Sequence, residues 1–314
     1  MSRDAISHDP QLIGAVRNTS TRDSARSRRS TTPDARKSRN LESQDTDRRD
    51  ASVAREQHHT RDQRGDSPHA HYVRDRAYLL RESEMHTLKE IGKFRVISVS
   101  DLAKYAYGGN PKDMDKDVRR LEQQSLLTDK TMEISQKKTL RVVTLTKAGH
   151  RLLKNTNQIP DGQPIYHGLR KPREVKHDTD LYRLYQKEAE RIERSGGRPV
   201  GVLLDYELKR TLNRDLALLG PEKDDANAKQ RIAEKHGLQL VHGKIPVPDL
   251  RLKYETPELE LRHVDLELAT RDYRPRAMAE KAAAGFSFYG RSEEVSRLRR
   301  VLDEREITAR ILTL

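Results

Sequence analysis

The chain has 314 residues, 35% of them charged and 33% apolar, with three Phe and no Trp, so any core must be small and built from Leu, Val and Tyr. A net charge of +13 and a pI near 9.8 favour a polyanionic partner, nucleic acid above all, over a small acidic substrate. The lack of cysteine excludes disulfides, thiolate zinc sites and a cysteine nucleophile, and no apolar run approaches the roughly 20 residues that span a bilayer.

In chain order, residues 1–78 mix Arg, Ser, Thr, Asp and Gln with few aliphatic side chains, a composition that predicts an unstructured tail. Residues 1–70 hold 14 Lys and Arg against 11 Asp and Glu, a net of +3, so +10 of the total lies further on. Residues 79–154 carry the signals of a winged helix-turn-helix. A helix over Ser83–Gly92 places Met85, Leu88 and Ile91 on one stripe, and Ser100 is the expected cap of a second. Gly108-Gly109-Asn110 breaks that helix. Asn110 then caps a third, with Pro111 at its first position and Met114, Val118 and Leu121 on its buried side. This predicts a recognition helix whose Lys112, Lys116, Arg119, Arg120 and Gln123 meet a groove and its phosphates. Asp113, Asp115 and Asp117 repel phosphate, so a plain solvated face is the alternative. Strands over Leu126–Ile134 and Thr139–Leu145 flank a wing whose Lys137, Lys138 and Arg141 are further candidate DNA contacts.

Residues 155–174 are rich in Pro, Gly and polar residues and predict a linker, after which 175–314 form the second domain. A long helix is expected to start at Asp178 or Thr179 and to stop at Gly196-Gly197. Glu188 falls on its apolar stripe, either paired with an Arg at the stripe's edge or aimed inward at the acidic hairpin described next. Val200–Glu207 predicts a buried strand, Pro221–His236 an inserted helix, and Arg276–Tyr289 an Ala-rich helix carrying Lys281. Residues 292–314 begin as a charged helix, and whether Ile307–Leu314 continues it or forms a closing strand stays open.

The informative stretch is Ile245–Ala269. Leu250, Leu252 and Tyr254 alternate with Asp249, Arg251 and Lys253, and Val264, Leu266 and Leu268 alternate with His263, Asp265 and Glu267. Glu255-Thr256-Pro257-Glu258 is the turn between the two arms. Both apolar faces must reach one core, so paired residue numbers sum to an even value. Pairing Tyr254 with Glu260 satisfies that rule and sets Asp249 opposite Asp265, which makes these two acids a candidate metal site for Mg2+. An amphipathic hairpin with a solvated acidic face is the alternative.

The order helix, strand, inserted helix, hairpin, helix resembles the core of PD-(D/E)XK nucleases, carried by Pro248-Asp249 and Val264-Asp265-Leu266-Glu267. With the winged-helix half and His177-Asp178, the layout over residues 80–290 resembles the bacterial replication-relaxation family of plasmids and mobile elements. The resemblance implies an α+β chain of two domains: a winged helix-turn-helix after a disordered tail, then an α/β nuclease-like domain with a mixed sheet. It implies a role in plasmid replication or DNA relaxation, with Asp249, Asp265, Glu267, Lys281 and Glu188 as the catalytic set. Glu267 stands where the nuclease pattern wants Lys, so Glu267 as a base or Lys281 from the next helix must substitute. The expected partner is double-stranded DNA, with no membrane and with a homodimer in view, and the expected location is the cytoplasm, at nucleoid or plasmid. The alternative is a winged-helix regulator whose C-terminal domain dimerises or senses a ligand without turnover.

Overall fold

The structure, a computed structural model, describes residues 67–314 except 136–137, 157, 170–171, 271–273 and 305. The expected tail lies largely outside this range, but its last part folds. His69–Val73 (β1) and Arg76–Leu80 (β2) pair as a hairpin turning at Arg74-Asp75. Val73, Tyr78 and Leu80 are buried, and Gln124 exchanges hydrogen bonds with the Leu79 backbone. Three inward side chains on a short alternating run suffice once a neighbouring helix covers them, which sets the tail's end about ten residues earlier than expected.

Next come Glu82–Phe94 (α1), Ile97–Ser98 (β3), Val99–Ala106 (α2), Pro111–Gln123 (α3), Leu127–Ser135 (β4) and Lys138–Leu145 (β5), with sheet order β3-β5-β4 and antiparallel pairing. This is the element order of a winged helix. The Asn110 side chain accepts from the backbone of Lys112 and Asp113, and Met114, Val118 and Leu121 are buried as expected. The second helix is capped by Ser98 rather than Ser100, because Ile97 and Ser98 first pair with Val143 and Val142. Thr146 caps Lys147–Asn155 (α4), which passes so close to the wing that a Cβ on Gly149 would sit 2.1 Å from the Leu126 carbonyl oxygen.

The stretch expected to be a linker is tied down through its middle. Tyr166 N donates to Gly92 O at 2.7 Å and Gly168 N to Leu145 O at 2.9 Å. Gln163 pairs reciprocally with the Val202 backbone at 2.8 Å each way. Pro172–Arg194 (α5) starts six residues before Asp178, since Pro172 suits a first helical turn, and it ends at the left-handed Gly196. Tyr182 of α5 packs edge-on and Tyr185 tilted against Phe94 of α1, at 5.1 and 5.0 Å between centroids. Arg183 clasps Asp101 of α2 at 2.8 Å. A single apolar core therefore runs from Leu88 and Leu121 through Tyr182 to Leu250 and Leu266.

The remaining elements are Arg198–Leu204 (β6), Asp205–Ala217 (α6), Ala226–Lys235 (α7), Leu250–Glu255 (β7), Leu261–Leu268 (β8), Pro275–Ala283 (α8), Ser287–Gly290 (β9), Ser292–Asp303 (α9) and Ile311–Thr313 (β10). They build a mixed sheet of order β10-β9-β8-β7-β6, in which β6, β7 and β8 are antiparallel and β8, β9 and β10 parallel. Two expectations change. Helix α6 occupies the end of the stretch expected as a strand through Glu207. Residues 287–289, expected to be helical, form the buried strand β9 after Gly285 (φ +83°) ends α8. The open question at the C-terminus is settled for a strand.

Candidate functional site

The hairpin register is even, as expected, but displaced by two residues: Leu250 faces Leu266, Arg251 faces Asp265 and Tyr254 faces Arg262. The cause is the turn. Its loop spans Thr256–Glu260, closed by Thr256 N to Glu260 O at 2.9 Å, with Leu259 left-handed at φ +63°. Asp249 and Asp265 are consequently not partners, and the predicted two-aspartate metal site does not form. Asp265 is bound by Arg251, Nε to Oδ1 at 2.6 Å and Nη2 to Oδ2 at 2.8 Å, and both side chains are at least 90% shielded. Arg251 also donates to the carbonyls of His236 and Gly237.

The displaced register brings Asp249 to Glu267 instead. The Asp249 N–H donates to Glu267 Oε2 at 3.2 Å, and Asp249 Oδ2 accepts from Leu268 N at 3.0 Å. Lys281, reaching across from α8, sets Nζ 2.5 Å from Glu267 Oε1, whose side chain is 1% exposed. The structure thus brings three of the five residues of the expected catalytic set close together, Glu267 bonding the Asp249 backbone on one side and the Lys281 ammonium on the other. Near the start of α5, His177 adds Nε2 at 3.4 Å from Asp249 Oδ2, with Nδ1 3.6 Å from Asp178 Oδ1. Burial works against the imidazolium, but its bonds to Asp178 and Asp249 prevail and push its pKa up to about 10. Burial likewise opposes the charge of Asp249, and His177, Lys281 and the Leu268 N–H outweigh it, so this carboxyl lies below its ordinary range. His177 went unassigned because a helix expected to begin at Asp178 leaves it outside the first turn.

Glu188 does not join this group. It is fully buried and takes bonds from Arg191 (2.6 Å), Arg310 (2.7 Å) and the Tyr289 hydroxyl (2.5 Å), which ties α5 to β9 and to the chain just before β10. Burial alone would raise its pKa, and those three donors hold it below the usual range. Glu188 is therefore paired with Arg, but at a fully buried position rather than at the stripe's edge, and its bonds go to β9 and Arg310 rather than to the acids of the hairpin.

On the winged helix, Lys112, Lys116, Arg119 and Gln123 are all exposed and recur at i, i+4, i+7 and i+11, a single stripe opposite Met114, Val118 and Leu121. The three aspartates are engaged internally: Asp113 by Asn110, Asp115 by Arg141 and Asp117 by the Tyr107 hydroxyl. Arg120 departs from the stripe toward Glu84, at 3.9 Å. Arg141 departs too, bonded to Asp129 and Asp115 at 2.5 and 2.8 Å, so it braces the wing against α3. Lys138 is exposed, while Lys137 lies outside the described residues.

The donor chemistry around Asp249 suits magnesium, which commonly takes one or two protein carboxylates and completes its shell with water and phosphate oxygens. Among the described residues, however, no group of three or more His, Asp or Glu side chains is placed to hold a metal ion. No described helix is long and apolar enough to cross a membrane.

No family model matches the chain, and no curated protein matches it. Among solved structures, Bacillus subtilis PadR in complex with operator DNA is similar at 14% identity, covering 49% of this chain and 90% of that one. The TM-score is 0.22, too low for the likeness to add to the geometry.

Proposed function

We propose that this chain binds duplex DNA through the exposed stripe of α3 and carries, on its C-terminal sheet, a PD-(D/E)XK-type site that hydrolyses a phosphodiester in the bound DNA. The observation that carries this reading is the meeting of Asp249, Glu267 and Lys281, an acid pair with a lysine supplied from a helix where the strand motif lacks one. The fold order α5, β6, β7, β8, α8, β9 supports it. A plasmid or mobile-element role in replication or DNA relaxation, as in the replication-relaxation family, accords with the pairing of a DNA-reading unit and such a site in one cytoplasmic chain.

Asp249 and Glu267 would hold a magnesium ion, which when bound supplies Lewis-acid polarisation of the phosphate and an activated water. Glu267 is poorly placed to be a free base, since Lys281 and the Asp249 N–H already engage its two oxygens. Lys281 orients the attacking water and meets charge on the phosphoryl oxygens as the new P–O bond forms, the water's proton passes to solvent, and the sugar oxygen leaves and takes a proton from solvent. His177 fixes Asp249 in place. At neutral pH it adds positive charge where a polyanion arrives.

The test is incubation of the full chain with supercoiled plasmid and magnesium, with and without Asp249→Ala. Relaxed product from the wild type alone supports the reading. Tight duplex binding with no product from either protein favours the winged-helix regulator.

A further inference from the structure

Two side chains on the first turns of α6, Tyr206 and Lys209, have no role in the reading above. Helix α6 starts where β6 ends, and its first residue, Asp205, donates its backbone N–H to Asp249 O at 3.0 Å, so the first turn of α6 is fixed beside the acid pair. One turn on, Lys209 sets Nζ 2.7 Å from Asp205 Oδ2 with its side chain 54% exposed. Residues 206 and 209 stand three apart and therefore neighbour each other on the helix surface. Tyr206 is 39% exposed, one of six large hydrophobic side chains exposed among the described residues. The other five are Tyr72 and Leu79 on the N-terminal hairpin, Leu218 just past the C-terminal end of α6, and Leu259 and Leu261 at the tip of the β7–β8 hairpin.

Resting on the nuclease-type reading of this site, we infer that Tyr206 and Lys209 select its substrate, Tyr206 stacking on an unpaired base and Lys209 holding the adjoining phosphate, so that the site takes a single-stranded or locally opened DNA segment. The chemistry follows from what each group offers. An aromatic face accepts any base that has left its own stack, and bases within an intact duplex are not available to it. The Lys209 ammonium, one turn past the bond that fixes the start of α6 to Asp249, is placed to receive a phosphate that approaches the acid pair. Partial burial opposes the charge of Lys209, but the bond to Asp205, with smaller contributions from Asp249 and Glu267, outweighs it and raises its pKa above the ordinary lysine value. Lys281, at 20% exposure, lies deeper on Glu267. The two lysines thus divide the task, the outer one receiving the strand and the inner one attending the acid pair.

The experiment measures binding of the full chain, without magnesium, to a fluorescent 12-nucleotide single strand and to a duplex of the same sequence. Tyr206→Ala is expected to weaken single-strand binding by about tenfold, within the range that loss of one stacked base produces, and to leave duplex affinity unchanged. Tyr206→Phe retains the ring and should bind as wild type. Lys209→Met should lower the salt slope for the single strand by about 0.7, the value for one lost phosphate contact. Equal single-strand affinity in wild type and Tyr206→Ala, or an equal loss on both DNA forms, overturns the inference. Because the readout requires no turnover, a wild type that binds the single strand through Tyr206 but never cuts plasmid refutes the nuclease-type reading and leaves only the single-strand contact of Tyr206 and Lys209 standing.

Discussion

Replacing Asp265 with Asn separates the observed register from the one expected at first, because the two give opposite signs. If Asp265 faced Asp249, removing its charge would relieve repulsion and stabilise the fold. In the structure Asp265 neutralises Arg251 through two bonds of 2.6 and 2.8 Å, with the side chains 10% and 7% exposed. Arg251 cannot turn out to water without also breaking its bonds to the His236 and Gly237 carbonyls. Breaking such a buried pair from one side costs about 3–5 kcal/mol, and since Asn keeps the shape and one acceptor the lower end, about 3 kcal/mol, is expected. At about 2–4 °C per kcal/mol for a folded unit of this size, the melting temperature should fall by about 6–12 °C, measured by circular dichroism. Replacing both partners, Arg251→Met with Asp265→Leu, should recover most of the loss. An unchanged or raised melting temperature for Asp265→Asn would refute the observed register.

Further outcomes follow from other contacts. Lys112→Ala with Arg119→Ala should reduce the salt slope of duplex binding by about 1.8, about 0.9 per phosphate, whereas Arg141→Ala should lower stability and leave that slope alone, both read from binding titrations and melts. Glu188→Gln should destabilise by about 1–2 kcal/mol, since Arg191 and Arg310 lose a charged partner but, at 42% and 35% exposure, stay within reach of water, and guanidinium unfolding would show it. The folded pKa of His177, about 10, lies above the ordinary value of 6.5, so the stability it contributes is full below pH 6.5 and disappears as pH rises through 10. The gap in melting temperature between wild type and His177→Gln should therefore be widest near pH 6 and close above pH 10.

Where local chemistry decides structure, the sequence was readable. Asn110-Pro111 and Gly196-Gly197 set helix ends that the structure keeps, and the stripes Met85-Leu88-Ile91 and Met114-Val118-Leu121 are buried as their spacing requires. Where two local options compete, pairing elsewhere decided. Ser98 and Ser100 are both good caps, and only the Ile97–Val143 pairing selects the first. The hairpin shows the same limit at the site itself. Its alternation fixes the parity of the register but permits shifts of two, and the left-handed Leu259 that chooses among them has no sequence signature, since non-glycine residues seldom adopt that conformation. Thus Asp249, Glu267 and Lys281 were identified individually, while the acid opposite Asp249 was misassigned. Helix α6, with Tyr206 and Lys209, was hidden because the apolar run of β6 continues into it through Leu208 without a Gly or Pro break.

The most direct test of the site is the rate at which supercoiled plasmid is nicked in magnesium by Glu267→Gln, Lys281→Met and Asp265→Asn, each assayed well below its own melting temperature. The account predicts that Glu267→Gln and Lys281→Met lose at least about a hundredfold in rate, in the range for removal of a group acting on the reacting phosphate, while Asp265→Asn stays within about threefold of wild type. Loss of nicking in Asp265→Asn with full activity in Lys281→Met would contradict it.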